Sequence, residues 1–205
     1  MSVAPTITKR EDRRETILDV ARECFLAEGF AATSMSTIAA RLGGSKGTLY
    51  NYFKSKEELF AAMMQRTCAE LQATLFDVGP EAGDTEAKLA HFARGFLNHL
   101  MTPEAIAIQR VVVSESERFP ELGRVFYESG PKIVLGRIGA YLEELMAAGR
   151  LRRTDPIVAA QHFKDLAISG VYWPHMWGVA AAPTPAQFDQ QVTRAVDTFL
   201  RAYAP

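Results

Sequence analysis

Met35, Ile38, Ala39 and Leu42 fall at i, i+3, i+4 and i+7, the spacing that lines one face of an α-helix. Thr33 or Ser34 stands where that helix needs an N-cap. Gly43 follows, and a residue without Cβ enters left-handed backbone at little steric cost, so the chain turns sharply there. Ser45 is placed to cap a second short helix, in which Leu49 and Phe53 point inward at i and i+4. Gly47, Thr48 and Asn51 then face roughly the other way, with Tyr50 and Tyr52 on the flanks. Ser55 and Glu58 form a capping-box pair for the helix that follows. Upstream, Thr8 and Glu11 form another such pair, ahead of a helix with Ile17, Ala21, Cys24 and Phe25 on its inner face. Gly29 ends that helix, and Phe30 is positioned to pack back on Phe25. The pattern predicts a helix-turn-helix whose second helix presents its outer face to a DNA major groove.

The rest of the chain is also read as helical. A fourth helix runs from Lys56 to about Asp77, with Phe60, Met64, Cys68, Leu71 and Leu75 along one side, and stops at Gly79-Pro80. Asp84 caps a helix to about Met101, and Thr102-Pro103 opens the next, which ends before Pro120. Glu121 to Ala148 is helical with a break at Gly130-Pro131. Asp155-Pro156 opens a long helix to about Gly178, kinked near its end by Pro174, and a last helix spans about Pro185 to Tyr203. The expected class is all-α: a flexible arm over 1–8, a helix-turn-helix domain over 9–56, a connecting helix over 57–78, and a ligand-binding and dimerisation domain over 84–205.

An apolar fraction of 48% with 23% charged residues excludes disordered and fibrous classes. No apolar stretch approaches the roughly 18–20 residues of a membrane span, and the N-terminus lacks the apolar core of a signal peptide, so a cytoplasmic protein is expected. The net charge of −1 does not by itself favour a nucleic-acid partner. Placement matters more: Lys46, Lys54 and Lys56 surround the second short helix, and Lys9, Arg10, Arg13 and Arg14 lie near the arm.

The run from Thr33 to Phe60, TSMSTIAARLGGSKGTLYNYFKSKEELF, resembles the TetR (AcrR-type) family of bacterial transcriptional regulators, and the resemblance extends over about residues 10–62. Two positions depart from the family pattern: Gly44, where a small aliphatic residue is usual, and Asn51, where an aromatic or histidine is common. The stretches RVVVSESERFPELGRVFYESGP and YLEELMAAGRLRRTDPIVAAQHF resemble the C-terminal domain of the AefR-like subgroup, over about residues 108–170. The resemblance implies a homodimer joined through the last two helices, bound to double-stranded operator DNA.

Thr33, Ser34, Gly44, Ser45, Lys46, Gly47, Thr48, Tyr50, Asn51, Tyr52 and Lys56 are the candidate DNA-binding residues. Lys46, Tyr50, Tyr52 and Lys56 are assigned mostly to phosphates, and Ser45, Thr48 and Asn51 to base edges. Thr33 and Ser34 would offer a hydroxyl and helix amides to a phosphate. A P-loop reading of Ser45-Lys46-Gly47-Thr48 fails because Ser45 stands where a glycine must precede the lysine.

Phe92, Phe96, Phe126, Tyr127, Phe163, Trp173, Met176 and Trp177, with Tyr172 beside them, are read first as core and second as the lining of a pocket for a small apolar or amphipathic effector. His91, His99, His162 and His175 lack metal-ligand spacing, so no metal or cofactor is expected. Cys24 and Cys68 read as buried thiols, with a redox pair as the alternative if the first and fourth helices bring them together. The expected function is a ligand-released repressor without catalytic activity. The competing class is an enzyme or small-molecule carrier with a vestigial helix-turn-helix, for which no nucleophile, base and orienting group occur together.

Overall fold

A computed structural model describes residues 9–76 and 84–205. Among these residues there are eleven helices and no strand: α1 Lys9–Glu28, α2 Met35–Arg41, α3 Lys46–Tyr50, α4 Lys56–Phe76, α5 Thr85–Leu100, α6 Pro103–Glu115, α7 Pro120–Ser129, α8 Pro131–Ala147, α9 Pro156–Ile168, α10 Tyr172–Met176 and α11 Pro185–Ala202. Five of them begin at proline, whose missing N–H is one that a first helical turn leaves unpaired anyway. Asp84 caps α5 through Ala87 N–H, and Asp155 caps α9 through the N–H groups of Ile157 and Val158. Thr184 and Gln187 close a reciprocal capping box on α11.

The expected helix from Pro156 to Gly178 is instead two helices. Gly170 takes left-handed backbone at φ 78° after Ser169, which ends α9 before the aromatic segment begins. Pro174 then falls in the first turn of α10, where it breaks no helical hydrogen bond, and it is not a kink. The Thr8 cap and the Gly79-Pro80 boundary lie outside the described residues.

The chain forms two compact units. One comprises residues 9–67 with Ala107–Ser129; the other comprises 68–76, 84–106 and Gly130–Pro205. The expected division after the fourth helix therefore differs from the observed one, because α6 from Ala107 onward and all of α7 belong with the helix-turn-helix.

In the first unit Phe25, Phe30 and Phe60 meet pairwise with ring centroids 5.5 Å apart, stacked or edge-on, and Phe119 adds its edge to Phe30 at 5.2 Å. Arg66 on α4 donates to Glu15 and Asp19 on α1 at 2.9 and 2.8 Å. Glu115, at the end of α6, accepts from Ala31 N–H at 3.1 Å and so holds the α1–α2 corner. Aromatic pairs of this kind add about 0.5–1.5 kcal/mol each beyond the area they bury.

The second unit packs α5, α8, α9 and α11 around Leu89, Leu142, Ala160, Phe163, Val196 and Phe199. Phe163 and Phe199 meet edge-on at 5.1 Å, and Phe199 stacks on Tyr203 at 4.4 Å. Gln191 on α11 donates to the carbonyls of Leu166 and Ala167, which satisfies backbone acceptors that the end of α9 would otherwise leave open.

Candidate nucleic-acid interface

The turn between α2 and α3 follows from two serine caps and one glycine. Ser34 Oγ accepts from Thr37 N–H at 3.0 Å, and Ser45 Oγ accepts from Thr48 N–H at 3.1 Å. Each cap contributes about 1 kcal/mol. Gly43 lies at φ 63°, and Gly44 N–H donates to Ala39 carbonyl at 3.2 Å, closing the end of α2. Leu49 and Phe53 are buried, while Ser45, Lys46, Gly47, Thr48, Tyr50 and Asn51 are exposed on one continuous stretch. Lys46 Nζ lies 5.8 Å from the Tyr50 ring centroid, so cation and aromatic face are presented together.

Asn51 is the C-cap of α3, its N–H bonded back to Gly47 carbonyl at 3.2 Å. Its exposed side chain leaves from the last turn of the recognition helix. Tyr52 is half-buried behind it. At the start of α4, Ser55 Oγ accepts from Glu58 N–H at 3.1 Å. The Glu58 carboxylate reaches back to Lys54 N–H at 2.7 Å, one residue earlier than a capping box requires.

Two sequence assignments are corrected by this geometry. Thr33 is 1% exposed, and its hydroxyl donates to the carbonyls of Gly29 and Cys24 at 2.7 and 3.2 Å. It closes the end of α1 and has no hydroxyl left to offer a phosphate; Ser34 alone caps α2. Lys56 points inward. Its Nζ donates to Phe30 carbonyl at 2.6 Å and stands 4.2 Å from the centroid of Phe30 and 5.6 Å from that of Phe119. Burial lowers its pKa, with Glu57 and Glu115 opposing. Lys56 is therefore an internal clamp of the DNA-reading unit. Spacing alone could not distinguish it from Lys46, because its partner Phe119 lies far away in sequence.

The eight aromatic and methionine candidates are not brought together. Phe92 and Phe163 lie in the main core of the second unit, Met176 in its smaller cluster, and Phe96 packs against both. Trp173 and Trp177 are 47% and 70% exposed, and Phe126 and Tyr127 belong to the first unit. None of them lines either of two open cavities. One, of about 230 Å3 in the first unit, is lined by Phe30, Phe60, Phe119, Leu122 and Val125 among others. The other, of about 240 Å3 in the second unit, includes Val171, Pro174, Pro183 and Arg194.

Among the described residues no three His, Cys, Asp or Glu side chains converge as metal ligands, and no helix is long and apolar enough to cross a membrane. His162 Nδ1 is hydrogen-bonded to Tyr203 hydroxyl at 2.6 Å. Cys24 and Cys68 are free and buried, and burial raises both thiols, Cys68 to about 11.

This architecture is shared with known regulators. Residues 17–63 match the model for bacterial regulatory proteins of the tetR family, and residues 87–205 match that for the AefR-like transcriptional repressor C-terminal domain. The solved structure of the Flavonoid-responsive Regulator FrrA superposes with a TM-score of 0.83 at 38% identity, covering 95% of this chain and 98% of that one. The HTH-type transcriptional repressor AcnR of Corynebacterium efficiens is 24% identical over 170 residues, 83% of this chain and 85% of that protein. The HTH-type transcriptional activator FasR of Mycolicibacterium smegmatis is 46% identical over 57 residues, 28% of this chain and 26% of that protein. With both parts of the chain matched and the exposed recognition helix in place, the protein belongs to the TetR family of sequence-specific DNA-binding regulators and carries an AefR-like C-terminal domain.

Proposed function

We propose that the protein is a homodimeric repressor that binds a roughly palindromic operator and releases it when a small apolar or amphipathic molecule enters the C-terminal domain. It acts by binding, not by catalysis. The observation that carries the reading is the exposed polar run of α3 and its two caps, Ser45, Lys46, Thr48, Tyr50 and Asn51; in this reading Ser45, Thr48 and Asn51 meet base edges and Lys46 and Tyr50 meet the DNA backbone.

Dimerisation is required because one five-residue helix reads few base pairs, whereas two can occupy successive major grooves about 34–36 Å apart. A dimer through α9 and α11 agrees with family membership. It is also supported by the apolar side chains that α9, α10 and the following turn leave exposed: Ile157, Val158, Trp173, Trp177 and Val179. This role suits Trp173 and Trp177 better than pocket lining does. Repression is favoured over activation because the likeness to AcnR spans most of the chain and that to FasR only the DNA-reading part. The likeness to a flavonoid-responsive protein over nearly the whole chain supports a planar aromatic effector.

The test is selection of binding sites from random duplex DNA, followed by sedimentation of the complex. Two protomers on an inverted repeat are expected; one protomer on an asymmetric half-site would sink the reading. A panel of flavonoids should then include molecules that both raise Tm and weaken the operator complex.

A further inference from the structure

We propose that Arg13, on α1, is a DNA-contacting residue that grips a backbone phosphate beside the recognition helix, and that Gly44 provides the space in which its guanidinium sits. This rests on the operator-binding reading and names a contact within it. Arg13, Gly44, Ser45 and Thr48 line one shallow cleft at the helix-turn-helix turn, with Ile17, Ala39 and Leu42 beneath. A Cβ built on Gly44 would lie 3.3 Å from Arg13 Nη2, tighter than an ordinary van der Waals contact, so any side chain at position 44 pushes against the guanidinium. Gly44 does not have left-handed backbone, and the turn conformation itself therefore does not demand glycine there.

The neighbouring cations are differently engaged. Arg14 lies 5.3 Å from the Phe53 ring and pairs with Glu15, and Lys56 is turned inward. Arg13 is only half-buried, and its side chain has no hydrogen bond or ion pair among the described residues. Its donors are thus available next to Ser45 and Thr48, the groups proposed to face bases. A guanidinium offers five N–H donors in a planar fork suited to two phosphate oxygens. Such a contact holds the register of α3 on the duplex without reading sequence.

The experiment uses the full-length protein on its selected operator and on random duplex of equal length, with affinity measured at several salt concentrations. Arg13→Gln keeps the stem and removes the charge. It should weaken both DNAs alike, by about 10-fold for each half-site, as expected for one charge-assisted hydrogen bond. The slope of log K against log salt should fall by about 0.9 for each half-site. Gly44→Ala should weaken binding in the same way, but should add nothing once Arg13 is glutamine. Unchanged affinity and slope in Arg13→Gln, or a lowered Tm as its only effect, would overturn the proposal. A loss confined to the operator would overturn the phosphate assignment, and an equal cost of Gly44→Ala in both backgrounds would overturn the role of Gly44. If the unaltered protein bound no DNA, the underlying reading would fall and this one with it.

Discussion

Lys46 and Lys56 are ten residues apart, flank the same recognition helix and carry the same charge, yet the structure gives their side chains opposite surroundings. Replacing Lys56 by alanine removes a hydrogen bond from an ammonium to Phe30 carbonyl and a cation held 4.2 Å from the Phe30 centroid. A hydrogen bond to a charged group contributes about 1.5–3 kcal/mol, and a partly desolvated cation–π contact about 0.5–2 kcal/mol. Against these stands the desolvation that lowers the lysine's pKa, so a net loss of about 2 kcal/mol is the working figure. Lys46 is exposed, with Tyr50 as an aromatic neighbour at 5.8 Å, so its loss should change stability by less than about 0.5 kcal/mol. The two variants separate in a pair of assays, urea unfolding and operator binding as a function of salt. Lys56→Ala should unfold at lower urea with an unchanged m-value and leave the salt slope of binding near that of the parent, even if affinity falls. Lys46→Ala should unfold normally and reduce the slope by about 0.9 for each half-site. The reasoning would be refuted by a Lys56→Ala protein of parental stability whose salt slope drops as far as that of Lys46→Ala.

Other expectations are more local. Thr33→Val should cost about 1–3 kcal/mol in urea unfolding by removing the buried hydroxyl that donates to the carbonyls of Gly29 and Cys24, and Thr33→Ser should cost less; equal stability of Val and parent would show the hydroxyl to be idle. Asn51→Ala should lose on the order of 1–3 kcal/mol of operator binding and nothing on random DNA, whereas equal loss on both would assign Asn51 to the backbone. His99 has a pKa lowered by burial, with Glu104 opposing, so the unfolded chain takes up its proton first as pH falls. Stability from this group is full above the unfolded value of about 6.5 and is lost as pH drops toward the lower folded pKa. The difference in Tm between His99→Gln and the parent should therefore depend on pH between 7.5 and 5.5, and a constant difference would count against the shift. Cys24 and Cys68, buried and with raised pKa, should react with a thiol reagent only on unfolding; rapid labelling of the native protein would contradict their burial.

How far the sequence could be read depended on whether each determinant was local. The caps at Ser34, Ser45, Ser55, Asp84 and Asp155 act over two or three residues, and their hydrogen bonds are found where spacing puts them. Phe30 against Phe25 is likewise a five-residue relationship. The break at Gly170 depends on a glycine in left-handed backbone, whereas the apolar residues on both sides of it also fit one continuous helix kinked at Pro174. The directions of Thr33 and Lys56 were not legible. A threonine before a cap serine and a lysine in the first turn of a helix look solvent-facing on a helical wheel, and only the returning end of α1 and the side chain of Phe119 give them inward partners.

The same limit explains why the compact units differ from the division expected along the chain. Composition suggested a boundary where glycine and proline collect, but compactness follows from contacts, and Glu115 and Phe119 make theirs with Ala31 and Phe30. Residues 107–129 thus fall within the part of the chain matched by the C-terminal family model while packing as part of the DNA-reading unit.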